Sequence, residues 1–153
     1  MATYLINAHG LNVGTVALPL ALVGMGTVIG SYIGGPVANR EDRMALISIS
    51  AIAGGVAALA LFSLDASTWV VVAVATASIT LLSIPWPVLI TLCSKVSGKS
   101  RATGIGLFGV SNQTGAVGGS ALGGMLLANS GFPGIGYLCL AAVAFSAVII
   151  AVF

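Results

Sequence analysis

The sequence predicts an all-α integral membrane protein of five transmembrane helices plus the remnant of a sixth. Three observations predict it. Of the 153 residues, 58% are hydrophobic and only 5% are charged, against roughly 25% charged in an ordinary soluble domain. The apolar residues fall into five unbroken stretches of about 20 residues or more, each long enough to cross a hydrocarbon core of ~30 Å as a helix. The stretches are continuous, whereas a transmembrane barrel needs segments of roughly 10 residues that alternate apolar and polar.

The charged and turn residues set the boundaries of a single membrane domain covering 1–153. The first span runs from about Val13 to Ala38 and stops at Asn39-Arg40-Glu41-Asp42-Arg43. The second runs from Met44 to Leu64, before Asp65. The third runs from Thr68 to Cys93, before the segment that holds Lys95, Lys99 and Arg101. The fourth runs from Thr103 to Ala128, closed by Asn129-Ser130-Gly131-Phe132-Pro133-Gly134, and the fifth from Ile135 to Phe153.

All five basic residues lie in two of these loops, Arg40/Arg43 and Lys95/Lys99/Arg101. Two spans separate the loops, so both fall on one side, and the positive-inside rule makes that side cytoplasmic. The carboxyl end is then cytoplasmic and the expected location is the cell (inner) membrane. Tyr4-Leu5-Ile6-Asn7-Ala8-His9-Gly10 reads like the end of an apolar helix and its turn. The chain is therefore expected to be a fragment whose preceding helix is mostly missing.

The composition also excludes function classes. Two short basic clusters make no phosphate-tracking stripe, so nucleic acid is not an expected partner. The 21 glycines show no Gly-X-Y period, which excludes collagen. Cys93 and Cys139 sit in apolar runs and read as inert buried thiols. One histidine, His9 in an outer turn, two scattered cysteines and no carboxylate within a span assemble neither a catalytic dyad nor a metal site. An enzyme, a cofactor and a metal are therefore not expected.

The most specific feature is the first basic loop. It reads Gly35-Pro36-Val37-Ala38-Asn39-Arg40-Glu41-Asp42-Arg43 and closes a helix with Gly26, Gly30 and Gly34 at every fourth position. It resembles the cytoplasmic signature loop of the major facilitator superfamily: glycine, three residues, Asp-Arg, two residues, Arg. Gly35, Arg40 and Arg43 match, Asn39 stands for the usual acid, and Asp42 stands for a usual glycine. These departures resemble the more degenerate copy that follows the eighth helix of these transporters. Arg101 to Gly109, followed by Asn112-Gln113-Thr114-Gly115, is similar to the eleventh helix. The resemblance implies that the five spans are helices eight to twelve, with residues 1–8 as the end of the seventh. The opening Tyr4-Leu5…His9-Gly10-Leu11 looks closer to proton-driven efflux permeases than to sugar importers.

The resemblance implies roles. Gly35, Asn39, Arg40 and Arg43 would form a cytoplasmic gate; read as charges alone, the arginines set orientation and meet lipid headgroups. Gly26/Gly30/Gly34 and Gly115/Gly119/Gly123 are helix-packing faces, static or sliding. Asn112 and Gln113 lie mid-span, where an unpartnered amide costs several kcal/mol, so at least one faces protein or a water-filled cavity. Pro85-Trp86-Pro87 removes backbone donors and kinks the third span, placing Trp86 and, a turn or so earlier, Thr80 as candidate cavity-lining residues. The second and fifth spans carry few polar side chains and read as lipid-facing. With no span carboxylate, any proton-coupling group belongs to the missing amino-terminal half.

The expected function is secondary active transport of a small organic solute by alternating access, in the efflux direction. The expected partners are membrane lipid, the missing half and a small-molecule substrate, neutral or amphipathic rather than strongly anionic. The alternative is a small helical scaffold subunit that uses the same glycine faces for association without transport.

Overall fold

The computed structural model describes residues 4–6, 12, 14–63 and 67–152; the expectations for His9 and Asp65 lie outside that set. The helices, in chain order, are α1 (Ala17–Val37), α2 (Arg43–Ser63), α3 (Thr68–Ser83), α4 (Pro85–Val96) and α5 (Arg101–Val152), with a 3-10 turn at Gly98–Ser100 before α5. Residues 4–6 are also helical. Among the described residues there is no strand. A helix is the natural state for such apolar runs, because inside a bilayer every backbone N–H and C=O must find its partner within the chain.

Local sequence explains where the helices stop and bend. Pro19 falls in the first turn of α1, where its missing N–H has no helical partner to lose. Pro36 falls in the last turn, after which Ala38, Asn39 and Arg40 close the chain with N–H bonds to Gly34, Pro36 and Val37 carbonyls. The third span is divided at Ile84, whose dihedrals stay helical at φ −59° and ψ −43°. The break is therefore a loss of hydrogen bonds rather than of backbone direction. Pro85 and Pro87 donate nothing, and the Ile84 N–H reaches the Leu81 carbonyl at 3.4 Å instead. Together α3 and α4 form one apolar span from Thr68 to Val96.

The fourth and fifth spans run together as α5, a helix of 52 residues with one non-helical residue. Gly131 takes φ 69° and ψ −164°, a region essentially reserved for glycine. The chain turns there without leaving a loop, and the segment 129–134 expected as a turn is helical on both sides of that single residue.

Two apolar clusters close the bundle, one at each end. Tyr4, Leu5, Val16, Leu61, Val71, Val72 and Ala75 form the first, with Phe132 packed against it. Ala38, Ile47 and Val88 form the second, with Val37, Leu89 and Leu92 around them. The turn carrying Arg40 and Arg43 joins α1 to α2 at the second end, and the segment 95–101 leaves α4 at that end too. The basic loops therefore share one end of the bundle.

Backbone-to-backbone packing joins the helices between these ends. A β-carbon on Gly26 would stand 2.8 Å from the Thr76 carbonyl oxygen. One on Gly30 would stand 2.8 Å from Ser83 Cβ and press on the Thr80 carbonyl, and one on Gly34 would stand 2.6 Å from Pro87 Cγ and press on the Ile84 carbonyl. Only hydrogen fits at these three positions, and the geometry brings glycine Cα–H groups onto carbonyl oxygens, a weak but recurrent interhelical contact. On the other side of the bundle, Ser78 Oγ donates to the Gly54 carbonyl at 2.8 Å, joining α3 to α2.

The second and fifth spans differ from a purely lipid-facing pair. They pack on each other: a β-carbon on Gly55 would meet Val143 at 3.2 Å, and one on Gly136 would meet Leu59 at 3.1 Å. Their remaining faces, with Ile49, Ile52 and Val56 on one helix and Tyr137, Phe145 and Val148 on the other, are exposed. Small residues hid this contact in the sequence, because a glycine marks a packed face only when its neighbour is known.

Candidate functional site

The candidate site residues of the spans fall in three places. The first is a groove of about 730 Å³ between α1 and α3, walled by Leu22, Met25 and Ile29 on one side and by Trp69, Thr76 and Thr80 on the other. Thr80 Oγ1 donates to the Thr76 carbonyl at 2.7 Å, and Thr76 Oγ1 donates to the Val72 carbonyl at 2.8 Å. Both hydroxyls are half-buried. Thr80 was an expected lining residue; Thr76 and Trp69 were missed, although Thr76 lies one helical turn from Thr80 on the same face.

The second place is the junction of α4 and α5. Trp86 meets Phe108 edge-to-face, with ring centroids 5.1 Å apart and planes at 64°. Trp86 is thus a link to the fourth span while remaining exposed over part of its surface. Beside it, toward the basic end, Cys93, Ser97 and Ser111 line a smaller cleft of about 450 Å³. Ser97 Oγ donates to the Cys93 carbonyl at 2.7 Å, and Gly104 passes so close to Ser97 that it too has no room for a β-carbon.

The third place is the open face of α5. Asn112 and Gln113 are both exposed, and Asn112 Nδ2 donates to Gln113 Oε1 at 3.5 Å. Gln113 lies in a shallow groove of about 780 Å³ with Gly106, Gly109, Val110 and Gly118. Nothing stands within 4 Å of a β-carbon built on Gly106, Gly109, Gly115, Gly118, Gly119 or Gly123. The two glycine series that look alike in sequence are therefore opposite in structure: Gly26/Gly30/Gly34 is closed against α3 and α4, and Gly115/Gly119/Gly123 faces open space. Phe108 and Asn112 are four residues apart on one helix face, so the Trp86 contact sits beside Asn112, whereas Thr80 opens into the separate α1–α3 groove.

The loop residues are placed at the basic end. Gly35, Asn39 and Arg40 are exposed, and Gly35 has open space around it. Arg43 begins α2, and its Nε is buried without a hydrogen-bond partner among the described residues. A cation at a helix start opposes the macrodipole, which Glu41 and Asp42 immediately before it offset. Among the described residues no group of three or more His, Cys, Asp or Glu is placed to hold a metal ion.

Comparison with known proteins adds one match: the family model described as Major Facilitator Superfamily covers residues 1–153. No curated protein and no solved structure matches the chain.

Proposed function

Because the chain belongs to the Major Facilitator Superfamily and is a multi-pass membrane protein of a secondary solute transport family, we propose that it is the carboxyl-terminal half of an efflux permease for small organic solutes. Its open α5 face meets an amino-terminal half of six further helices, and the substrate path runs between the two. The observation that carries this reading is the pair of exposed amides in the middle of an apolar helix flanked by unfilled glycines. In hydrocarbon an unpaired amide costs several kcal/mol, so this face meets water or protein, not lipid. Transporters of inverted-repeat design place the substrate between two such bundles, which rock against each other.

Several finer assignments belong to the same proposal. The end carrying Arg40, Arg43, Lys95, Lys99 and Arg101 is cytoplasmic, in the cell membrane, with the carboxyl end on that side. The loop of Gly35, Asn39, Arg40 and Arg43 acts as a cytoplasmic gate, in which the unsatisfied Arg43 Nε finds its partner in another conformation or on the other half. Asn112, Gln113 and Trp86 contact solute.

Cysteine accessibility tests the reading. With Cys93 and Cys139 replaced by alanine, Asn112→Cys and Gln113→Cys should react with a water-soluble maleimide, and Val148→Cys, exposed on the fifth span, should not. Cells lacking their own efflux pumps should retain less ethidium when the protein is assembled with its other half. Equal protection of all three cysteines from the maleimide would place the amides in lipid or in a dry contact and remove the cavity.

A further inference from the structure

The net positive charge of the chain collects at the turn between α4 and α5. The α1–α2 loop carries Arg40 and Arg43 but also Glu41 and Asp42, so its charges cancel. Lys95, Lys99 and Arg101 stand together within seven residues, and no Asp or Glu follows Asp65 in the chain. Neither of the helices that meet at this turn therefore supplies it with a counter-ion. All three basic side chains are exposed.

An apolar cleft opens beside these cations. Its volume is about 450 Å³, and Leu92, Val96, Leu107 and Phe108 wall it, with the hydroxyls of Ser97 and Ser111. Ser97 and Gly104 pinch the two helices together at its basic end, where a β-carbon on Gly104 would stand 2.7 Å from Ser97 Cβ. From Gly104 to Ser111 the cleft follows α5 for about 10 Å into the span, at 1.5 Å per residue. Val96 is 87% exposed and Leu107 64%, so two large apolar side chains lie bare within about two turns of three cations. Gly104 is nine residues from Gln113, which at 100° per residue places it on the opposite side of α5. The cleft is thus a separate surface from the shallow groove around Gln113.

We infer that this cleft seats one anionic phospholipid, with its phosphate against Lys95, Lys99 and Arg101 and one acyl chain along Leu92, Val96, Leu107 and Phe108. Charge complementarity selects this occupant. Basic pockets between transmembrane helices take anionic headgroups, at about 1 kcal/mol for each Lys or Arg near the surface. Long basic side chains keep their stems on apolar surface while the charge reaches headgroup level. A zwitterionic lipid brings an ammonium group that finds no carboxylate on α4 or α5. An apolar helix surface would leave the three cations without a counter-charge. The inference does not depend on the transport reading.

The two tryptophans of the chain, Trp69 and Trp86, supply the test. Trp86 touches Phe108 of the cleft wall at a ring-centroid distance of 5.1 Å, whereas Trp69 lies at the far end of the same span, in the first turn of α3. Quenching by lipids brominated in mid-chain reports which lipid lies beside each ring. Trp69→Phe leaves Trp86 as the reporter, and Trp86→Phe leaves Trp69. Each protein is reconstituted into vesicles of dioleoyl phosphatidylcholine and dioleoyl phosphatidylglycerol, with one lipid or the other brominated. Phosphatidylglycerol should be preferred at Trp86 about fivefold or more, the equivalent of one such cation, and the two lipids should compete evenly at Trp69. Exchanging Lys95, Lys99 and Arg101 together for glutamine should abolish the preference. Ser111→Phe, at an exposed position, should abolish it as well, because it fills the cleft and keeps every cation.

Even competition at Trp86 would overturn the proposal. A preference that survives Ser111→Phe would also overturn it, since anionic lipid would then gather loosely at the basic turn with no seat in the cleft. Displacement of phosphatidylglycerol by millimolar inorganic phosphate would replace the lipid with a free anion. Failure of either brominated lipid to quench Trp86 would show the cleft covered by a second copy of the chain. Both of these results would sink the assignment too.

Discussion

The α-carbon of Gly30 rests against the backbone carbonyl of Thr80, with no space for a β-carbon between α1 and α3. The same holds one turn to either side, at Gly26 and Gly34, so α1 and the third span pack as one rigid pair. Relative movement in this chain is then sought at its open faces rather than along this seam.

Gly30→Ala is expected to destabilise the protein. Alanine gains up to ~1 kcal/mol of helix propensity over glycine, but overpacking against a backbone carbonyl, which cannot swing aside, costs about 1–3 kcal/mol. Gly24→Ala on the same helix has nothing within 4 Å and should be neutral or stabilising. Thermal unfolding of the detergent-purified variants distinguishes the two, and equal effects would contradict the close approach.

Ser78→Ala removes the hydroxyl that reaches from α3 to the Gly54 carbonyl of α2. Interhelical hydrogen bonds of this kind average about 0.6 kcal/mol in membranes, so a small drop is expected. Ser48→Ala serves as the comparison, because Ser48 bonds within its own helix, to the Met44 carbonyl at 2.8 Å, and should have a smaller effect.

Gly119→Leu should leave thermal stability within about 0.5 kcal/mol, as surface changes usually do, since nothing stands opposite Gly119 among the described residues. The same substitution should abolish ethidium efflux by the assembled permease, because it fills the face that meets the other half. A large loss of stability without that half would show that the face is already packed.

Gly131→Ala forces an L-residue into φ 69° and ψ −164°, at a cost of about 1–3 kcal/mol. The strain falls where Phe132 meets Tyr4 edge-to-face at a centroid distance of 4.8 Å. Gly98→Asn should be milder. Gly98 also has positive φ, at 50°, but asparagine tolerates that region better than most residues. Comparing the two unfolding temperatures checks the ordering.

The sequence by itself determined the all-α membrane class and the clustering of basic residues, because those depend on transfer of apolar length into lipid and on where charge interrupts it. It also placed the prolines that break the third span, since a missing N–H is a property of the residue alone. Partnership was decided only by the tertiary structure. Gly26/Gly30/Gly34 and Gly115/Gly119/Gly123 have the same spacing, yet one series is sealed against α3 and α4 while the other faces open space, because a glycine carries no side chain to signal what approaches it. The partners of Thr76 and Thr80 were likewise invisible until the structure placed their hydroxyls on the Val72 and Thr76 carbonyls. A hydroxyl in a sequence is both donor and acceptor, and only its neighbours select between them.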